Sequence, residues 1–212
     1  MSTTLIALHG FTQHGALMQR ALEPLAARLP ERVRLECPDA PNACAQSSVD
    51  RMHRLLGGAR QEPPYLCWFD ATDDGREYRG LDATKKLLAE RIEARGGRAG
   101  LLGFSQGAIC AASLAALSAH GRFPKLDFVI LVAGRLPRSD EVAPLLDVPI
   151  AIPSLHVLGE RDPIAKGHVQ ALAERFAEAS RELVLWPGPH VVPTRGEGGD
   201  AIVRFIERRA CL

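Results

Sequence analysis

Two kinds of stretch alternate along this chain. Short apolar runs bounded by glycine, proline or polar residues give way to longer segments whose apolar residues recur every three or four positions. The short runs are Thr4–Leu8, Val33–Cys37, the residues just before Phe104, Phe128–Ala133, Ser154–Gly159 and Leu183–Trp186, and each reads as a strand. The longer periods predict helices. One carries Leu17, Ala21, Leu22, Leu25 and Leu29 on a single face, and a second runs over Tyr78–Arg95 with Leu81, Thr84, Leu87, Leu88 and Ile92 inward, ended by Gly96-Gly97. A third carries Val169, Leu172, Ala173 and Phe176, and a closing helix spans 200–209. Strand–helix alternation with continuously apolar strands predicts an α/β fold: a mainly parallel sheet of about six strands with helices on both faces.

Two segments stand outside this rhythm. Pro38–Pro64 is polar and proline-rich, with one helical stretch around Val49–Leu56, and it leads into Tyr65-Leu66-Cys67-Trp68-Phe69. A proline-rich linker fills 134–153. Excursions of this length usually cover a site.

The chain has 212 residues, of which 46% are hydrophobic and 24% charged, enough for one sizeable core and too few for two ordinary domains. A single domain over 1–212 is expected. The formal net charge is +1 and no Lys/Arg run occurs, so the electrostatic footprint of nucleic-acid binding is missing. The first residues enter a strand at once, with no basic and apolar leader, and no apolar run approaches a membrane span, which points to the cytoplasm. Five scattered cysteines without a C-x-x-C pair read as reduced thiols, with no metal and no cofactor. Cys67 and Cys110 fall in apolar runs and read as core, whereas Cys44 lies in a loop and is the more reactive candidate. The acidic stretch Asp70–Gly75 matches half of a calcium loop but has Leu81 where the bidentate Glu is required, so it reads as a solvated turn.

The chemistry centres on Gly103-Phe104-Ser105-Gln106-Gly107, at a junction from apolar strand to small-residue helix. A G-x-S-x-G there is a nucleophile elbow, in which glycines let strand and helix approach closely and the serine takes a strained backbone that lifts its hydroxyl clear of the sheet. Ser105 opens the helix, so the N–H of Gln106 and the helix dipole face any oxygen that becomes negative beside it. His9-Gly10-Phe11 follows the first strand, where the second oxyanion N–H is expected from Phe11; the plainer reading is a glycine-eased turn.

A serine hydroxyl needs a base, and the base an orienting acid. Asp162 follows the strand ending at Gly159, and His190 follows the strand ending at Trp186, giving the order Ser…Asp…His of an α/β-hydrolase with every member beyond a strand's carboxyl end. His9 and His14 precede the serine, in the wrong order for the base, and are expected to shape their loop. A turn role before Pro163 is the alternative for Asp162.

At these residues the chain resembles the FSH family of serine hydrolases. The resemblance covers nearly all of it and rests on five motifs: Leu8-His9-Gly10-Phe11-Thr12-Gln13; Trp68-Phe69-Asp70-Ala71 with Tyr78-Arg79-Gly80-Leu81; the elbow; Pro153 to Gly159 with Asp162; and Gly188 to Pro193. It departs at Phe69, where many relatives carry a second tryptophan, and at Pro189, where glycine is common. The resemblance implies an α/β-hydrolase with Ser105, Asp162 and His190 as the triad, and at this length no separate cap domain is expected. It also implies hydrolysis of a small-molecule acyl ester or thioester. Tyr65, Trp68, Phe69 and Val191 are expected to line a groove for medium to long acyl chains. A non-catalytic ligand receptor on the same scaffold and a peptidase are the competing readings. Oligomeric state is not legible.

Overall fold

The computed structural model describes residues 3–55 and 62–210. Six strands form one sheet, every neighbouring pair parallel: β1 (Thr3–Leu8), β2 (Val33–Glu36), then, after four short strands met below, β7 (Ala99–Phe104), β8 (Leu126–Val132), β9 (Ser154–Gly159) and β10 (Arg181–Trp186). Their spatial order is β10-β9-β8-β7-β1-β2. Parallel neighbours require crossovers, and helices supply them. The period of two along each strand sorts side chains to opposite faces. Leu5, Ala7, Leu102, Phe128, Ile130, Val132, Leu155 and Val157 pack against α1 (Gly15–Ala26) and α6 (Gly196–Ala210). Ile6, Leu8, Leu101, Val129 and Leu131 face the other way, onto α3 (Leu81–Glu93) and α4 (Gln106–Ala119). α4 is buried from Gln106 through Leu117 except at Ile109, and its alanines, glycine and serines let it lie close on the middle of the sheet. α5 (Val169–Ala173) crosses between β9 and β10. This is the α/β-hydrolase architecture the sequence predicts.

The excursion after β2 has its own small framework. β3 (Asn42–Ala43) pairs antiparallel with β4 (Leu66–Cys67), α2 (Gln46–Leu55) lies between them in sequence, and β5 (Asp70–Ala71) pairs with β6 (Tyr78–Arg79). Here the structure corrects the expected helix over Tyr78–Arg95. Tyr78 and Arg79 are strand instead, because the Tyr78 ring stacks on Phe69 at 3.9 Å and its hydroxyl accepts the Arg138 N–H at 2.9 Å. Gly80 then takes φ 80°, a left-handed turn that starts the helix only at Leu81.

Other boundaries shift less. Leu29 lies past the end of α1, the last strand begins at Arg181, and the closing helix begins at Gly196. The helical stretch in the excursion starts earlier, at Gln46, and the expected last residue, Leu56, lies outside the described residues. The acidic stretch closes the β5–β6 hairpin, with the Thr72 hydroxyl donating to Asp74 at 2.6 Å and the Gly75 N–H to Thr72 O at 2.8 Å. No helix among the described residues is long and apolar enough to cross a membrane.

Candidate active site

β7 ends at Phe104, and the next residue turns the chain through φ 54°, ψ −113° into α4. Such a backbone costs on the order of 1–3 kcal/mol for a residue with a Cβ, so its surroundings must hold it. They do so without slack. A Cβ on Gly103 would stand 2.2 Å from Gly107 O, and one on Gly107 would stand 2.1 Å from Leu8 O and 2.7 Å from His9 O. The Ser105 N–H is also fixed, donating to Val132 O at 3.0 Å. Only glycine at both positions lets the turn of α4 sit on the end of β1.

The strain presents the hydroxyl to a histidine from a distant part of the chain. Ser105 Oγ lies 3.1 Å from His190 Nε2, and His190 Nδ1 lies 2.7 Å from Asp162 Oδ2. Asp162 is buried, and its other oxygen, Oδ1, accepts the N–H groups of Ile164 at 2.8 Å and Ala165 at 2.9 Å. Those two donors leave Oδ2 as the oxygen that receives Nδ1–H, which puts the lone pair of a neutral His190 on Nε2, toward Ser105. The His190 ring also packs on Phe104, centroids 4.9 Å apart.

The loops that carry Asp162 and His190 are locked together. Arg161 N–H donates to Gly188 O at 3.0 Å, Glu160 N–H to Trp186 O at 2.9 Å, and the Arg161 guanidinium to Pro187 O at 2.7 Å. A Cβ on Gly159 would come within 2.4 Å of Gly188 O, so the two backbones touch.

The candidate oxyanion donors arise on the other side of the serine. Gln106 is the first residue of α4, so its N–H has no intrahelical acceptor. Phe11 follows Gly10, whose N–H donates to Gln13 Oε1 at 2.9 Å, and the loop is pinned further by Thr12 N–H to Leu66 O at 3.0 Å. Because Gly107 abuts Leu8 and His9, the Phe11 loop lies beside the first turn of α4. His9 is fully buried and shapes this loop. Its Nε2 accepts the Ala40 N–H at 3.1 Å, so Nδ1 carries the proton and donates to Gly10 O at 2.8 Å. Burial pulls its pKa down to about 4, so the ring is neutral at pH 7.

Two residues expected to line an acyl groove are placed elsewhere. Trp68 is 0% exposed and Phe69 3% exposed, so both are core residues rather than groove walls. Trp68 is instead a strut: its indole N–H donates to His9 O at 2.8 Å, its ring packs on His9 at 4.9 Å, and its carbonyl accepts the Thr84 hydroxyl at 2.6 Å. The Gln106 side chain clamps the same segment, accepting the Trp68 N–H at 3.0 Å and donating to Phe69 O at 2.8 Å. Sequence reasoning missed this clamp, since the partners are far apart in the chain and no periodicity links them. Tyr65 and Val191 remain at the surface, Val191 47% exposed directly after His190 and Tyr65 directly before Leu66, whose backbone pairs with Thr12 and Gln13. The site is marked by its chemistry and not by volume. Surface depressions of about 700 and 580 Å³ are lined by Arg34, Glu36, Arg91 and Arg95 and by Arg51, Arg54 and Arg79, and neither includes Ser105, Asp162 or His190.

Comparison with known proteins bears on the family and the fold. The serine hydrolase (FSH1) family profile matches residues 1–202. Esterase OVCA2 of Mus musculus is 30% identical over 219 residues, covering 97% of this chain and 96% of that protein. The Xenopus tropicalis esterase OVCA2 is 32% identical, covering 96% of this chain and 92% of its own length. Among solved structures, Zea mays acyl-protein thioesterase 2 superposes with a TM-score of 0.71 at 23% identity over 99% of this chain and 94% of that one, a likeness of fold. With the family profile matched along almost the whole sequence and relatives matched nearly end to end, the chain belongs to the FSH1 family of serine hydrolases.

Proposed function

We propose that this chain is a cytoplasmic, single-domain enzyme that hydrolyses carboxylic esters, and the corresponding thioesters, of medium to long acyl chains through an acyl-enzyme on Ser105. His190 Nε2 takes the hydroxyl proton as Ser105 Oγ attacks the acyl carbon, and Asp162 stabilises the imidazolium that forms. The oxygen that becomes negative is received by the N–H groups of Phe11 and Gln106. His190 then protonates the leaving alcohol or thiol, and the same base activates water to release the acid. The observation that carries this reading is the continuous contact Ser105–His190–Asp162, built by three separate loops at one end of the sheet. The names of the family relatives, esterases, support the ester as substrate.

The acyl chain is assigned to the apolar surface of Tyr65 and Val191. Each methylene buried there contributes up to about 0.8 kcal/mol, or about fourfold in kcat/KM if it is realised in the transition state. A fluorophosphonate probe should label wild-type protein and not Ser105→Ala. Across p-nitrophenyl esters from acetyl to palmitoyl, below micelle-forming concentrations, kcat/KM should climb until the surface is filled. Labelling that persists in Ser105→Ala removes the serine from the mechanism; a steady decline from acetyl onward removes the chain-length preference alone.

A further inference from the structure

The β3–β4 ladder brings together two cysteines that the hydrolytic reading does not use. Asn42 lies opposite Cys67 and Ala43 opposite Leu66, and the Cys44 N–H continues the ladder by donating to Tyr65 O at 2.9 Å. Cys44 and Cys67 therefore occupy diagonal positions on one face of the ladder. Side chains on one face of so short a ladder are neighbours, and the Cys44 and Cys67 thiols interact by a side-chain hydrogen bond. Their surroundings differ in the sense that matters for reactivity. Cys44 is half-buried and reachable, whereas Cys67 is 1% exposed.

We propose that Cys44 and Cys67 form a hydroperoxide-reactive dithiol, in which Cys44 is oxidised first and Cys67 resolves it to a disulfide. The Cys44 thiol gives its proton to solvent, the thiolate attacks one oxygen of hydrogen peroxide, the O–O bond breaks, and the leaving hydroxide takes up that released proton as the first water, giving a sulfenic acid. The Cys67 sulfur then attacks the Cys44 sulfur. The S–O bond breaks, and the hydroxyl departs with the Cys67 proton as a second water. Two thiols are oxidised by two electrons, and one peroxide is reduced to two waters.

The selectivity follows from electrostatics. The Cys67 hydrogen bond, assisted by the Thr12 N–H, holds the Cys44 thiol below its ordinary range against desolvation and the Asp70 carboxylate. Burial pushes Cys37 up to about 11 and Cys110 higher still, which leaves both as unreactive thiols. Access acts in the same direction, since peroxide reaches the half-buried Cys44 before Cys67, which is 1% exposed.

The test treats the full chain with a slight excess of hydrogen peroxide, blocks remaining thiols with iodoacetamide under denaturing conditions and maps peptides. Trypsin combined with a protease cutting before aspartate separates Cys37 from Cys44, because Asp39 lies between them. The expected product is a Cys44–Cys67 linked peptide pair, two hydrogens lighter than the reduced pair and reversed by dithiothreitol, formed at least about tenfold faster than any oxidation of Cys37. Cys44→Ser should leave Cys67 reduced, and Cys67→Ser should stop at a Cys44 sulfenic acid captured by dimedone. Oxidation of Cys37 ahead of Cys44, or a Cys44 sulfinic acid beside a free Cys67 in the wild type, overturns the proposal. The wild-type map decides even where Cys67→Ser does not fold.

Discussion

The indole N–H of Trp68 donates to the carbonyl oxygen of His9 across 2.8 Å, tying a core side chain to the loop two residues ahead of Phe11. If Phe11 supplies an oxyanion donor, a small displacement of that loop weakens transition-state binding more than ground-state binding. Trp68→Phe keeps most of the packing and removes the N–H. We expect kcat on a short ester to fall about tenfold while KM stays within about twofold. Steady-state kinetics beside a thermal melt checks this, and an unchanged kcat would assign Trp68 to packing alone.

Asp162 offers a sharper case. Its Oδ1 already faces two N–H donors, so in Asp162→Asn the amide oxygen must take that place and the NH₂ must point at His190. Nδ1 of His190 then has to accept, and the proton moves to Nε2, where it faces Ser105. The variant should fold normally and lose about 10⁴ in kcat, the scale for a catalytic histidine held in the wrong tautomer. Residual activity above about a tenth of wild type would show that the tautomer is set elsewhere.

Gly107 is a geometric demand. A methyl there would lie 2.1 Å from a backbone oxygen of β1, and backbone gives way less readily than a side chain. Gly107→Ala should cost about 1–3 kcal/mol of stability, the usual range for overpacking. Its loss of kcat should exceed what the fraction unfolded explains, because the same shift moves Ser105 away from Phe11. Denaturant unfolding and probe-labelling rates, measured on the same preparation, separate the two effects.

The protein should lose stability in acid through two buried neutral histidines. Burial lowers His9 to about 4 and His156, at 0% exposure in β9, to about 3, both below the unfolded value of 6.5. The unfolded chain therefore binds more protons than the folded one across that window. Stability is full above about pH 6.5 and declines as pH falls toward 4 and then 3, by about 3 kcal/mol for His9 from the gap between 6.5 and 4. Unfolding free energies from pH 7.5 to 4.5 should slope downward, and His156→Phe should flatten the slope. An unaltered slope in that variant would remove His156 as a contributor.

The sheet and the positions of Ser105, Asp162 and His190 were legible because each depends on local pattern: continuous apolar runs, glycines at fixed offsets, and loops directly after strands. The start of α3 was misread because Tyr78 answers to Phe69 and Arg138, contacts that no local period reports. Trp68 and Phe69 were misplaced for a related reason. An aromatic pair in a polar excursion looks like a groove wall, yet the clamp by Gln106 and the reach of Trp68 to His9 turn that segment inward. Residues that act through other residues leave little trace in a single sequence.

The backbone contact between Gly159 and Gly188 divides the site mechanically. Asp162 and His190 ride on one welded block at the β9–β10 edge, while Ser105 stands at the start of α4 above the centre of the sheet. Thermal breathing of the sheet must then be absorbed at the seam between these blocks, which is the Ser105–His190 contact of 3.1 Å, while the 2.7 Å link from His190 to Asp162 travels intact. If Ser105 is the nucleophile of the proposed reaction, any displacement between the two blocks lengthens the Ser105–His190 contact before it disturbs the pair that fixes the His190 tautomer.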